Sequence, residues 1–299
     1  MNTEKRSKKY SNLDLWDNKE VLETILESQL NAICSIKQLI SDIDSAVTKA
    51  TTLLEHGGRL IFAGAGTSGR LAAQESAELY PTYAWPKNKT HYLIAGGDKA
   101  LSQSVENAED SIEKGEHDCK KIKPTSKDVV ICVAASGRTP YTLGVLRTAN
   151  QAGALTIGIS SLEHAPILNE AKIKLFTNTG SEVIAGSTRM KAGTAQKVIL
   201  NMITTALMIK LNRTYDGYMV DVVASNEKLQ HRAIHIISEI CLADSEAAKQ
   251  ALLTCHGNVK LACVYLKCQS KELAEEILSK TSGNLRKSLE KLPEHYKKS

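Results

Sequence analysis

The chain has 299 residues, 42% hydrophobic and 24% charged, enough apolar material for one sizeable core and a smaller second unit. Its net charge of +5 gathers partly in Lys5, Arg6, Lys8, Lys9, Lys297 and Lys298, and only 4% of residues are aromatic, so no nucleic-acid face is expected. No apolar run reaches the roughly 18 residues of a membrane span, and the basic start from Met1 to Tyr10 lacks the apolar stretch of a signal peptide, which predicts a cytoplasmic protein.

From Lys19 to about Glu55, apolar residues including Val21, Leu22, Ile25, Leu26, Ile33, Ile36, Leu39 and Ile40 recur at helical intervals, and Gly57-Gly58 end the run. Arg59 to Ala63 reads as a short strand, followed by a Gly-rich loop and a helix beginning near Ser68. Thr90 to Ala95 reads as the next strand, ended by Gly96-Gly97, with Asp98 opening a helical stretch through Ala100, Val105 and Ala108. Asp128 to Ala134 is almost continuously apolar, the mark of a strand buried on both faces of a parallel sheet. Pro140 suits the first turn of the following helix, Ala154 to Ser160 supplies another strand, and Ile173 to Thr177 one more. A long apolar helix is expected from about Met190 to Leu211. Beyond Glu239 three short amphipathic helices are predicted: Ser245 to Cys255, Val259 to Leu266 and Lys271 to Lys280.

Strands alternating with helices imply an α/β fold, a doubly wound parallel sheet flanked by helices, with a small C-terminal helical domain. The expected organisation is a helical segment over 1–55, the sheet domain over 56–238 and the small domain over 239–299. Seven cysteines without a CxxC spacing fit reduced thiols; Cys255, Cys263 and Cys268 with His256 match no zinc pattern and read as helix packing.

Two loops carry the chemistry. Gly64-Ala65-Gly66-Thr67-Ser68-Gly69-Arg70 and Ala135-Ser136-Gly137-Arg138-Thr139 each follow a strand and open a helix, where backbone N–H groups attract an anion. The first loop also satisfies GxGxxG, and a dinucleotide reading would need an acidic residue about 20 residues on, for which Asp98, after the second strand, is the loose candidate. Hydroxyls in both loops suit a phosphate monoester better than a pyrophosphate, and a structural Gly-rich turn is the third reading. A further run, Gly186-Ser187-Thr188-Arg189-Met190-Lys191-Ala192-Gly193, places hydroxyls and cations before the long helix, whose dipole would also face an anion. Gly66, Thr67, Ser68, Gly69, Ser136, Gly137, Arg138, Thr139, Ser187, Thr188 and Lys191 are therefore the candidate phosphate-binding residues. Carboxylates for acid and base work are available at Glu78 and Glu109, with Glu75, Glu106 and Asp110 nearby; spacing alone does not choose among them.

The runs GAGTSGRL (64–71), AGGDKAL (95–101), AED (108–110), AASGRTPY (134–141), GSTRMKAGTAQK (186–197) and MVDVVASNEKL (219–229) resemble the N-acetylmuramic acid 6-phosphate etherases, which carry a sugar isomerase (SIS) domain. The resemblance implies the SIS form of the doubly wound sheet and a three-helix, ubiquitin-associated-like domain at the end. It implies two working glutamates, falling on Glu78 and Glu109, a phosphosugar substrate, a homodimer, and neither metal nor redox cofactor. After Glu78 these etherases usually read Cys-Pro-Pro-Thr, an aromatic and Gly, whereas this chain reads Leu79-Tyr80-Pro81-Thr82-Tyr83-Ala84; Asn12 to Gln29 also departs from the family pattern.

The implied substrate bears a lactyl ether at C3 and a phosphate at C6. Ring opening yields a C1 aldehyde that acidifies the C2 proton, so the C3 ether can be eliminated and water can add to C3. The resemblance assigns Glu78 as the acid on the leaving oxygen and Glu109 as the base. An aldose–ketose isomerase of the same fold and a non-catalytic sugar-phosphate sensor, similar to glucokinase regulatory proteins, are the rival readings.

Overall fold

The computed structural model describes residues 5–224 and 226–292. Lys297 and Lys298, invoked for the charge balance, lie outside the described residues, as do Met1 and Ser225. The chain forms two compact units, Met1–Ala77 with Lys87–Thr205 and Glu78–Pro86 with Ala206–Ser299.

In the first unit, α1 (Asn18–Ser35) and α2 (Ile40–Glu55) are joined by a 3-10 turn (Ile36–Leu39), so the predicted long helix is present but broken. The strands follow in order: β1 (Leu60–Gly64), then α3 (Gly66–Tyr83), β2 (Thr90–Ile94), α4 (Ile112–Ile122), β3 (Val129–Val133), α5 (Pro140–Gln151), β4 (Leu155–Ser160), α6 (Pro166–Glu170), β5 (Ile173–Phe176) and α7 (Lys191–Lys210). All five strands are parallel, in the order β2-β1-β3-β4-β5. The inner strands β1, β3 and β4 are buried along their whole length, as their apolar runs require, while the edge strands β2 and β5 carry His91 and Lys174. The chain moves outward in opposite directions from β1 and β3, which makes their neighbouring C-terminal ends the switch point where such sheets hold ligands.

The helix expected from Asp98 through Ala108 does not form. Gly96 and Gly97 adopt positive φ, and Asn107 (φ 58°) is left-handed, so the segment is divided into two 3-10 turns, Gly97–Leu101 and Ala108–Asp110. Helix α4 starts only after Ser111, whose hydroxyl caps Lys114 N–H at 3.1 Å.

The second unit contains a hairpin that the sequence did not announce, β6 (Thr214–Tyr215) with β7 (Tyr218–Met219), turning through Asp216 and Gly217 at positive φ. Helix α8 (Glu227–Cys241) precedes the three expected short helices, α9 (Ser245–Thr254), α10 (Val259–Cys268) and α11 (Lys271–Lys280), and α12 (Leu285–Glu290) follows them. Their core includes Ile236, Ile237, Leu252, Val264 and Leu285, with Cys241, Cys255, Cys263 and Cys268 buried among them. These thiols pack as small apolar groups; among the described residues no group of three or more His, Cys, Asp or Glu side chains could hold a metal. No helix among them is long and apolar enough to cross a membrane.

Candidate functional site

The glycines of the first loop have a geometric reason that involves no ligand. A Cβ on Gly69 would stand 2.8 Å from Gly64 O and 2.7 Å from Ile94 Cγ1, and one on Gly64 would stand 2.8 Å from Gly69 N. The end of β1 therefore crosses the first turn of α3 at a separation only glycines permit, and Gly66 supplies a left-handed turn (φ 53°) between them. The GxGxxG spacing follows from this crossing and does not discriminate pyrophosphate from phosphate. Asp98, the loose candidate for a ribose contact, accepts the Tyr92 hydroxyl at 2.8 Å.

The N–H groups of Gly66, Thr67 and Ser68 precede the first helical hydrogen bond of α3, from Gly69 N–H to Ala65 O at 3.0 Å, which leaves them directed at the switch point. Thr67 is half-buried and Ser68 buried. The Ser68 hydroxyl donates to Gln196 Oε1 on α7 at 2.9 Å, so this side chain ties α3 to α7. Arg70 turns to the opposite flank, where its guanidinium donates to Ala100 O (2.8 Å) and Gln103 O (3.0 Å) and pins the 3-10 segment against the loop. The result is a cleft of about 360 Å³ lined by Gly66, Arg70, Ser104 and Glu106 to Asp110. The structure thus brings the first loop and Glu109 together; Glu106 and Asp110 share the same wall, so position does not single out Glu109.

The second loop leaves the adjacent strand end, where Val133 of β3 pairs in register with Gly64 of β1. Gly137 is buried and its carbonyl accepts Ile167 N–H at 3.0 Å, while Ser160 donates to Ala135 O at 3.2 Å. Those contacts set a rigid base from which Ser136 and Thr139 emerge half-buried and Arg138 exposed, with Arg138 N–H directed at Ser136 Oγ (3.3 Å).

The third run behaves differently from the expectation that its helix would await an external anion. Glu182, fully buried, accepts Lys191 N–H at 2.9 Å and Ala192 N–H at 3.0 Å, so the chain's own carboxylate occupies the N-terminus of α7. Burial pushes the Glu182 carboxyl above its ordinary range against the pull of these two amides and the Lys191 charge. Lys191 is itself buried, its ammonium donating to Ser181 O at 3.2 Å, and burial lowers its pKa. Ser187 and Thr188 remain half-buried in the turn before the helix. The first turn of α7 reaches the first loop: a Cβ on Gly193 would stand 3.4 Å from Thr67 Cγ2.

Among the glutamates, Glu75 is buried on α3 and engaged by Lys197 Nζ at 2.7 Å, by Asn201 and by Thr204, all on α7. It is an internal strut. Glu109 and Glu78 expose their carboxylates instead. Glu109 belongs to the first unit and Glu78, on the penultimate turn of α3, to the second. Glu182, Gln196 and Arg70's two carbonyl contacts were not singled out from sequence; only the Arg in the first loop carried a visible signal.

Comparison with known proteins places these features in context. Residues 108–206 match the family described as SIS domain, residues 39–150 the glucokinase regulatory protein N-terminal SIS domain, and residues 216–282 the C-terminal lid domain of glucokinase regulatory protein. The chain is 43% identical over 265 residues to an N-acetylmuramic acid 6-phosphate etherase of Deinococcus radiodurans, covering 89% of this chain and 87% of the relative. It is 42% identical over 294 residues to an etherase of the same name from Clostridium botulinum, covering 98% of each. A phosphoheptose isomerase from Francisella tularensis superposes with a TM-score of 0.50 at 18% identity, covering 65% of this chain and 98% of that one, a likeness of fold.

Proposed function

The chain belongs to the N-acetylmuramic acid 6-phosphate etherase family, and from that membership we propose that it converts N-acetylmuramic acid 6-phosphate and water to N-acetylglucosamine 6-phosphate and D-lactate. The observation that carries this reading is identity above 40% across almost the whole of both chains. It favours ether cleavage over the isomerase and sensor readings.

An alkyl ether is a poor leaving group, so direct displacement at C3 is unfavourable. In the ring-opened aldehyde the C2 proton is acidic. Glu109, on the cleft wall beside the Gly66 loop, takes that proton as base. Glu78 gives a proton to the departing lactyl oxygen, and water adds to C3 of the unsaturated aldehyde. The added hydroxyl and the regained C2 proton complete the amino sugar, so the sum is hydrolysis. Each proton transfer contributes on the order of 10²- to 10⁴-fold.

The phosphate lies against the first-turn N–H groups at Gly66 to Ser68 and the second loop at Ser136, Gly137, Arg138 and Thr139, with Ser187 and Thr188 completing the donors; Gly69 N–H is spent on Ala65 O, and Gly69 serves by permitting the close crossing. Lys191 and the Ser68 hydroxyl serve through their internal bonds, which hold the cradle in place. Holding C2 against the base in this way is an orientation effect at least as large as one proton transfer. Release of D-lactate from N-acetylmuramic acid 6-phosphate tests the assignment; tight phosphosugar binding without lactate contradicts it.

We further infer a homodimer. On α1, Leu22 (66% exposed), Leu26 (62%), Leu30 (53%) and Ile33 (40%) recur at intervals of four, four and three residues and form one uncovered apolar face. A second copy covers it in this reading, and Leu26→Glu then gives a monomer by light scattering; an unchanged mass contradicts this surface. A cytoplasmic location fits the seven free thiols.

A further inference from the structure

The turn of α3 that carries Glu78 is weakly built from its own sequence. Pro81 lies inside the helix and has no N–H to give to the carbonyl of Ala77. Two residues past Thr82 the helix ends on Ala84, which holds the left-handed conformation (φ 47°) where glycine is ordinarily used. The cap itself is formed normally, with Ala84 N–H on Tyr80 O at 2.9 Å and Trp85 N–H on Leu79 O at 3.3 Å.

A cation from the second unit's own chain compensates. Arg213 Nη1 donates to Tyr83 O at 3.3 Å and to Ala84 O at 3.4 Å, and its guanidinium lies 5.7 Å from the centre of the Trp85 ring. A positive charge on the last carbonyls of a helix opposes the negative end of its dipole. Arg213 is in turn fixed from behind: its Nη1 is 3.3 Å from Asp221 Oδ2, which also receives Lys260 Nζ at 2.7 Å. Lys260 is buried and Asp221 nearly so, so this pair cannot relax into water.

We propose that Arg213, held by Asp221 and Lys260, is a positioning residue that fixes the α3 turn bearing Glu78, replacing the glycine cap that this chain lacks. The inference rests on Glu78 being the acid of the proposed reaction. Arg213 acts on the backbone five and six residues beyond Glu78 and touches no substrate. Its loss displaces the acid and leaves the phosphate cradle and Glu109, which belong to the first unit, unaffected.

The test compares two signals from one protein: D-lactate release from N-acetylmuramic acid 6-phosphate, and exchange of the substrate C2 proton in heavy water, which needs the base alone. In Arg213→Ala, lactate kcat falls on the order of 10- to 100-fold with KM changed less than about threefold, and C2 exchange persists. Arg213→Lys, keeping the charge but losing the planar fork, falls between wild type and Ala. In the double variant Ala84→Gly with Arg213→Ala, the glycine restores the cap without the cation and recovers part of the lost rate. Full lactate kcat in Arg213→Ala, or an equal fall of lactate release and exchange, overturns the proposal. Glu78→Gln is the control for the underlying reading: if it retains lactate release, the acid assignment fails independently of Arg213.

Discussion

Lys191 N–H lies 2.9 Å from Glu182 Oε2, and the next amide, of Ala192, lies 3.0 Å from Oε1. An acidic side chain nine residues upstream thus fills the anion position at the head of α7. Glu182→Ala leaves two buried N–H groups without acceptors and is expected to lower stability by about 2–4 kcal/mol. Glu182→Gln keeps one carbonyl acceptor and removes a charge that burial already disfavours, so its loss is smaller, about 1 kcal/mol. Denaturant unfolding of both variants checks the order.

The two exposed glutamates separate by signal. Glu109→Ala is expected to abolish both C2 proton exchange and lactate release, because no later step proceeds without the carbanion. Glu78→Ala is expected to lose lactate release by about 10²- to 10⁴-fold while exchange continues. Near-normal lactate release in either variant removes that residue from the mechanism.

The close crossing of β1 and α3 has its own consequence. A Cβ on Gly69 meets Gly64 O at 2.8 Å and Ile94 Cγ1 at 2.7 Å, and one of these contacts is backbone that cannot rotate away. Gly69→Ala is expected to destabilise the protein by about 1–3 kcal/mol and to weaken phosphosugar binding, since the strain moves the N–H groups of the cradle. Thermal unfolding and calorimetric titration measure the two effects.

Much of this was legible in the sequence where one local pattern decided the outcome. The apolar run from Val129 to Val133 marked a strand covered on both faces, and Pro140 marked a helix start because a first turn has no use for the N–H that proline lacks. The segment after Asp98 was not legible: its apolar spacing suits a helix, but Asn107 takes a left-handed conformation that interrupts it, and composition does not fix φ. Glu182 and Arg213 were invisible for a different reason. Each acts on backbone atoms outside its own element, Glu182 on amides nine and ten residues on and Arg213 on Tyr83 O and Ala84 O about 130 positions away, and no periodicity encodes such a contact. The choice of Glu78 and Glu109 over Glu75, Glu106 and Asp110 came from family resemblance; Glu75 is buried and engaged by Lys197 at 2.7 Å, a contact that spacing did not reveal.

Acid sensitivity is expected from the pair that joins β1 to β3. Asp128 is buried; burial alone would raise its pKa, but the Arg59 guanidinium, the Thr125 and Arg59 amides and the Arg59 charge outweigh this and hold it below the ordinary carboxylate range. A depressed carboxyl adds stability that is present above the unfolded value, about 3.9, and is lost as pH falls through the lower folded value. Arg59 is about a quarter exposed, so the contribution is screened, and Asp128→Asn is expected to cost about 2–3 kcal/mol at neutral pH. Its stability should then vary less than wild type below about pH 4, measured by urea midpoints across that range. An unaltered acid profile contradicts the role given to Asp128.

The most direct test of ether cleavage by elimination is isotopic. N-acetylmuramic acid 6-phosphate is incubated with the protein in heavy water and, separately, in ¹⁸O water, and the sugar product is read by mass spectrometry and NMR. The expected result is D-lactate with N-acetylglucosamine 6-phosphate carrying deuterium at C2 and ¹⁸O at C3. Retention of the original C3 oxygen, or a ketose phosphate with no lactate, contradicts the account.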